Sequence, residues 1–375
     1  MRIGTRGSRL ALWQAQAVAE ALTAAGHGPC EIVIFRTSGD RLQPRITADG
    51  RESLDIPLSA EGGKRLFVRE IEEALLGRAV DIAVHSAKDM PADLPPGLAI
   101  GGVLPREDPR DAVVLPVRPE ARDRRPGDRN GAAIGAASAS EPWQAVGVGP
   151  HGKGIEDAWL TLGVPPSLGF GEPGRSDSGG RGPQRKERKV GTGSIRRVAQ
   201  LRTTWPDARF EPVRGNVDTR LRKLDEGQYD ALVLAAAGLR RLGFGDRISA
   251  LIPLDRCVPA PGQGTIAIEV RADDARARDA AAALNHAATA AALDAERAVV
   301  EEIGGGCQLP LGAVAIAADG ALELHAVVIA PDGSRVARAS VRGPALHPRD
   351  LGRRAVEELT AAGAREILDG LGIRR

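Results

Sequence analysis

Aromatic side chains make up only 3% of these 375 residues. A sizeable core must therefore be assembled from Ala, Val, Leu and Ile, without the large buried area that rings supply. Cysteine is just as scarce. Cys30, Cys257 and Cys307 form no CxxC pair and are odd in number, which points to neither a disulfide framework nor a zinc site, and no metal is expected. No apolar run approaches the roughly 20 residues that a membrane-crossing helix needs, so no membrane partner is expected. An excess of one charge is missing too: 51 basic residues face 49 acidic ones, a net charge of +2. Nucleic acid is thus not implied by charge. The stretch Met1–Leu22 lacks the apolar centre and small-residue cleavage site of a secretory leader, and the cytoplasm is the expected location.

What is present is enough chain for two or three domains. Residues 1–116 alternate short strand patterns (Met1–Thr5, Glu31–Phe35, Asp81–His85) with helical ones (Leu10–Ala25, Leu66–Leu76), as an α/β domain does. Residues 189–282 repeat that style, with strands at Val190–Ser194 and Asp230–Ala237 and helices from Ile195 and over Asp273–Leu284. Residues 286–375 differ. A helix over Ala287–Glu302 precedes strands at Gly312–Ala317, Leu322–Ala330 and Arg335–Arg342, with Pro331–Ser334 as a hairpin turn, and Arg349–Gly370 is a closing helix. That is a small α+β domain. Polar residues 41–57 read as a loop.

One segment fits none of this. Residues 117–188 hold 14 Gly and 8 Pro in 72 positions, against 50 in the other 303, and show no sustained period. Such a composition cannot easily bury enough apolar area to offset chain entropy. It reads as a long flexible insertion with one helical turn near Ile155–Leu162, and limited proteolysis should cut there first; resistance there would refute that reading.

Basic residues recur just after the apolar strands, where α/β folds place ligands. Arg6 follows the first strand, and Lys88 follows the strand ending at His85. Arg196 and Arg197 open a helix after Gly191–Ser194, Arg214 and Arg220 bracket Gly215–Thr219, and Arg241 lies in Gly238–Gly243. A helix start offers free amides, so Thr192–Arg196 is a ready anion site. Asp89, beside Lys88, either stabilises a developing cation and moves a proton or simply pairs with Lys88 or caps the next turn; spacing does not separate the two. Cys307, in Gly304–Pro310, is either a presented nucleophile in a loop that lets a bulky group approach or a small buried hydrophobe. His85 packs in a strand end without a catalytic role.

Eight stretches, taken together, resemble the porphobilinogen deaminases: Gly4–Ala15 (GTRGSRLALWQA), Gly63–Val68, His85–Pro91 (HSAKDMP), Arg106–Ala112, Val190–Arg197 (VGTGSIRR), Arg214–Arg220 (RGNVDTR), Pro259–Gly264 (PAPGQG) and Gly305–Gly312. They occur in family order and cover essentially the whole chain except 117–188, and the specificity lies in that order. The resemblance implies two lobes similar to periplasmic binding proteins and a C-terminal α+β domain. Domain 1 would comprise 1–110 and 264–284, domain 2 residues 111–263, and domain 3 residues 285–375. It implies a transferase that joins four porphobilinogen molecules head to tail, with loss of ammonia, onto a dipyrromethane primer, then releases hydroxymethylbilane by hydrolysis in tetrapyrrole (heme) synthesis.

By that resemblance Cys307 holds the dipyrromethane covalently, and Asp89 stabilises the electron-poor azafulvene left when ammonia departs. Lys88, Arg196, Arg197, Ser194, Thr192, Arg214, Ser86 and Gln263 match positions that contact the cofactor. Arg6, Ser8, Lys64, Phe67, Arg220 and Arg241 match positions that contact substrate, Phe67 by stacking near the pyrroles. Residues 41–57 match the loop over the cleft. A monomer acting on a small molecule is implied. Two features depart from the pattern: Ala60 stands where many members carry a basic residue, and the 117–188 insertion replaces a short connection. The alternatives are a non-enzymatic two-lobed anion-binding module and an inactive deaminase disrupted by the insertion.

Overall fold

The computed structural model describes residues 1–35, 45–46, 52–53, 62–117, 187–304 and 309–372; the side chains of residues 45–46, 52–53 and 62–67 lie outside that description. The insertion therefore falls almost wholly outside the described residues. Strands β1 (Arg2–Arg6), β2 (Glu31–Phe35), β5 (Ile82–Ser86), β6 (Leu98–Val103) and β12 (Ile266–Arg271) form one sheet in the order β2-β1-β5-β12-β6. Between them run α1 (Arg9–Ala24) and α2 (Gly62–Leu76). Ser8 caps α1, its Oγ accepting from Ala11 N at 3.3 Å. Gln14, Ala15, Val18, Ala19 and Leu22 recur at three- and four-residue spacing and are buried against the sheet. Within the predicted loop 41–57, β3 (Arg45–Ile46) pairs antiparallel with β4 (Glu52–Ser53), so part of it is a hairpin; the rest lies outside the described residues.

A second sheet has the order β11-β7-β10-β8-β9, built from β7 (Asp111–Val114), β8 (Arg188–Gly191), β9 (Ala208–Glu211), β10 (Ala231–Ala235) and β11 (Ala250–Leu251). Its helices are α3 (Ile195–Arg202), α4 (Val217–Asp225) and α5 (Ala236–Arg241). After β12 come α6 (Ala275–Ala283) and α7 (Ala287–Ile303), then a three-stranded antiparallel sheet of β13 (Leu311–Ala318), β14 (Ala321–Ile329) and β15 (Val336–Pro344). The expected α/β lobes and small α+β unit are all present. The last predicted helix, Arg349–Gly370, is in fact two, α8 (Pro348–Ala361) and α9 (Ala364–Asp369). Gly363 separates them at φ +91°, a left-handed conformation that glycine adopts freely and that ends a helix.

Small aliphatics fill the interiors, as the shortage of rings requires. Alternate residues of β13–β15 (Ala313, Ala315, Leu324, Ala326, Ala339, Val341) face α7 and α8, while Val314, Val327 and Ile329 pack on Ala199 and Val258 of the second lobe. One carboxylate ties three segments together. Glu296 on α7 is fully buried. Its Oε1 accepts from Arg106 Nη1 at 2.5 Å and from Ala315 N at 2.7 Å, and its Oε2 accepts from Gly262 N at 2.6 Å. Arg106 also donates from Nε to Gln263 O at 2.9 Å. Glu296→Ala would leave a buried guanidinium without its counter-ion, and we expect a loss of about 3–5 kcal/mol, read from the denaturant midpoint. A change within the range of an exposed ion pair, about 1 kcal/mol or less, would contradict this role.

Candidate active site

The sheets run so that their ligand-bearing ends meet. Strands β1, β2 and β5 are parallel, as are β8, β9 and β10, and in such sheets sites form beyond the carboxyl ends. In the first lobe those ends carry Arg6, then Ser8, and Ser86 followed by the 3-10 turn Ala87–Asp89. In the second they carry Thr192–Arg197 after β8, Arg214–Arg220 after β9 and Arg241 after β10. Both crossings between lobes lie at this same edge: β7 starts at Asp111 opposite Ala235, the last residue of β10, and β12 starts at Ile266 opposite Ser86.

The returning segment is pressed onto the turn that bears Lys88 and Asp89. At Gly262 (φ +75°) a Cβ would lie 2.9 Å from Ala87 C and Lys88 N, and at Gly264 (φ +89°) it would lie 2.3 Å from Glu107 O. Only glycine tolerates both the backbone and the approach. Asp89 is half-buried, and no hydrogen bond or ion pair within the described residues engages its carboxylate, so it neither caps the turn nor forms a close pair with Lys88. Lys88 lies within electrostatic reach of Asp89, Asp111, Arg197 and Arg220, and desolvation, rather than those charges, lowers its pKa most. Residues of both lobes thus share one field.

Arg196 and Arg197 are placed differently from free cleft cations. Both are buried, and both turn onto Asp111, which is fully buried. Arg196 Nη1 lies 2.9 Å from Asp111 Oδ2, and Arg197 Nη2 lies 2.8 Å from Oδ1. Gln263, expected at the cofactor, donates to Asp111 Oδ1 at 2.8 Å and to Pro109 O at 2.6 Å. Cys257 Sγ approaches Asp111 Oδ2 at 3.4 Å. Burial alone would raise the Asp111 pKa; the two guanidiniums and the hydrogen bonds outweigh it and hold the carboxyl well below the usual range. Burial beside that carboxylate pushes the Cys257 thiol up to about 12, which makes it inert as a nucleophile. Sequence reasoning gave Asp111 no role, although it stands at the head of an apolar strand and within the family-like stretch Arg106–Ala112.

Several donors here lack acceptors. Thr192 Oγ1, Arg196 Nε and Arg214 Nη1 are buried without a hydrogen-bond partner among the described residues, a state that native proteins seldom leave uncompensated. Desolvation, helped by the nearby Arg197 charge, pushes Arg220 down to about 10 even though its Nε donates to Gly215 O at 2.7 Å. Desolvation does the same to Arg241, which donates to Gly264 O at 2.6 Å and stacks on Trp13 with its guanidinium carbon 5.8 Å from the ring centroid. Under-compensated cations and orphaned donors at one edge fit a polycarboxylate ligand. Ser194 stands before α3 without a capping hydrogen bond. Ser8 is engaged in its cap, and Arg6 is half-buried at the end of β1. Cys307 lies outside the described residues, as do Ala60 and the side chains of Lys64 and Phe67 on the first turns of α2. His85 is buried in β5, its Nε2 3.1 Å from Glu269 Oε2 on β12.

Comparison with known proteins points to one family. The family model for "Porphobilinogen deaminase, dipyromethane cofactor binding domain" matches residues 1–151 and 181–279, and the model for the C-terminal domain of the same family matches 290–361. The gap between the first two stretches lies inside the Gly- and Pro-rich segment. The porphobilinogen deaminase of Syntrophobacter fumaroxidans is 40% identical over 370 residues, covering 98% of this chain and 97% of its own. That of Chromobacterium violaceum is 40% identical over 367 residues, covering 98% and 96%. Among solved structures, the Bordetella pertussis BvgS VFT2 domain is 13% identical with a TM-score of 0.35, covering 76% of this chain and 85% of its own.

Proposed function

The chain belongs to the porphobilinogen deaminase family, and from that premise we propose how its residues divide the work of joining four porphobilinogen molecules and releasing hydroxymethylbilane. The observation that carries the reading is the shared edge, where Lys88 and Asp89 of one lobe face Arg197 and Arg220 of the other amid buried donors without acceptors.

Each substrate brings an acetate and a propionate. Arg6, Ser8, Arg220 and Arg241, with Lys64 and Phe67, bind and orient it, the arginine forks taking carboxylates side-on. Thr192, Ser194, Arg196, Arg197 and Arg214, with Ser86, Lys88 and Gln263, hold the dipyrromethane that Cys307 tethers. When bound, that group supplies the pyrrole carbon to which the first new unit is joined. Asp89 works on the incoming substrate: as the C–N bond of its ammonium group breaks, the electron pair leaves with ammonia, and the carboxylate stabilises the positive charge left on the pyrrole. Surrounding cations offset the mutual repulsion of the accumulating carboxylates. We assign the domains as 1–110 with 264–284, 111–263 and 285–375, with the protein a cytoplasmic monomer. Among the described residues no helix is long and apolar enough to cross a membrane.

Incubation with porphobilinogen tests the activity. The expected result is release of four ammonia molecules per hydroxymethylbilane, and bound but unconsumed porphobilinogen would instead support an anion-binding module.

A further inference from the structure

Resting on that reading, we propose that Asp111 is a positioning residue for the reaction, acting through Arg196 and Arg197. Its two oxygens divide the arginines between them, Oδ2 taking Arg196 and Oδ1 taking Arg197. Neither guanidinium is free to turn. Arg196 Nη1 also donates to Val258 O at 2.6 Å, and Arg197 Nη1 donates to Val233 O at 3.0 Å. The orphaned Nε of Arg196 is therefore aimed by the partners at the other end of the same rigid plane.

Asp111 also sets the charge of the pair. Two buried guanidiniums with one carboxylate carry a net +1, enough to attract an anionic ligand without the full penalty of two uncompensated buried cations. It joins the pair to the lobe crossings as well. Asp111 is the first residue of β7, just past the outgoing crossing, and Gln263, on the returning one, donates to the same Oδ1. Any change of angle between the lobes that moves residue 263 is felt by Arg197 through one shared oxygen atom. Asp111 is fully buried and its two oxygens are occupied by Arg196, Arg197, Gln263 and Cys257, so its part in the reaction is to aim others.

The test compares apo chain, made in cells that cannot synthesise porphobilinogen, with chain loaded from porphobilinogen. Asp111→Asn puts an amide N–H toward Arg196 and leaves two buried positive charges unbalanced until ligand carboxylates arrive. Thermal unfolding should fall much further in the apo form than in the loaded form, and turnover of the loaded form should drop at least tenfold. A role confined to folding would lower both melting temperatures alike, and that outcome, or native turnover, overturns the proposal. Asp111→Glu covers the case in which the asparagine variant does not fold. It keeps the charge and displaces it by about 1.5 Å, so the gap between apo and loaded melting should stay native while turnover falls at least tenfold; native turnover overturns the proposal. If the unsubstituted chain itself gains no mass from porphobilinogen, the proposed function fails instead, which distinguishes the two.

Discussion

Asp89→Ala should turn over about 10²–10⁴-fold more slowly than the unsubstituted chain, while still carrying the added mass of two pyrrole units. The two readouts separate chemistry from assembly. Asp89 ends a one-turn 3-10 segment whose backbone is fixed by Met90 N donating to Ala87 O at 3.2 Å and by the close approach of Gly262. Removing its carboxylate leaves that turn in place, together with the arginines across the cleft. It removes the one acidic group held at the turn without a hydrogen bond or ion pair among the described residues. Near-normal turnover would strip Asp89 of its assigned role, and loss of the added mass would show that it serves cofactor assembly instead.

Cys307→Ser should abolish both the added mass and turnover, because a serine hydroxyl at neutral pH is a far weaker nucleophile than a cysteine thiol with some thiolate present. The intact mass should equal that of the sequence, and the pink Ehrlich colour of the native protein should disappear. Gly304 ends α7 at φ +74°, and Leu309 begins a buried run that continues into β13. Cys257 supplies a contrast within the same chain: fully buried against Asp111, it should remain unmodified under conditions that label Cys307 in the apo chain. After many turnovers the mass on Cys307 should be unchanged, as a tether requires; stepwise loss would make it a cycling nucleophile.

Much of this architecture was legible because periodicity is local. The stripe of α1, the strand over Glu31–Phe35 and the hairpin of the last sheet were all readable from spacing. The interior strand Ile266–Arg271 was not, since it holds Glu269 and Arg271 at positions that are nevertheless buried. Glu269 is met by His85, and Arg271 donates to Leu75 O and Val80 O at 2.8 and 2.7 Å. These partners lie about 190 positions away, so no window along the chain contains them. The candidate site divides in the same way. Its cations were found from strand ends and family order, but Asp111, the carboxylate that orients Arg196 and Arg197, is defined by what folds against it. Arg196 and Arg197 read as open ligands because their counter-ion belongs to another strand.

The place of β12 in the first sheet has a consequence for synthesis on the ribosome. The strand that separates β5 from β6 is encoded after the whole second lobe. Until residue 271 has left the exit tunnel, the first lobe has two unpaired strand edges and an open hydrophobic face, whereas the second can already close. The N-terminal lobe is thus the later one to finish, against the usual order in which domains fold as they emerge. During that interval its exposed edges invite pairing with other chains, so slow or stalled translation between residues 103 and 266 should favour aggregation more than a stall after 271.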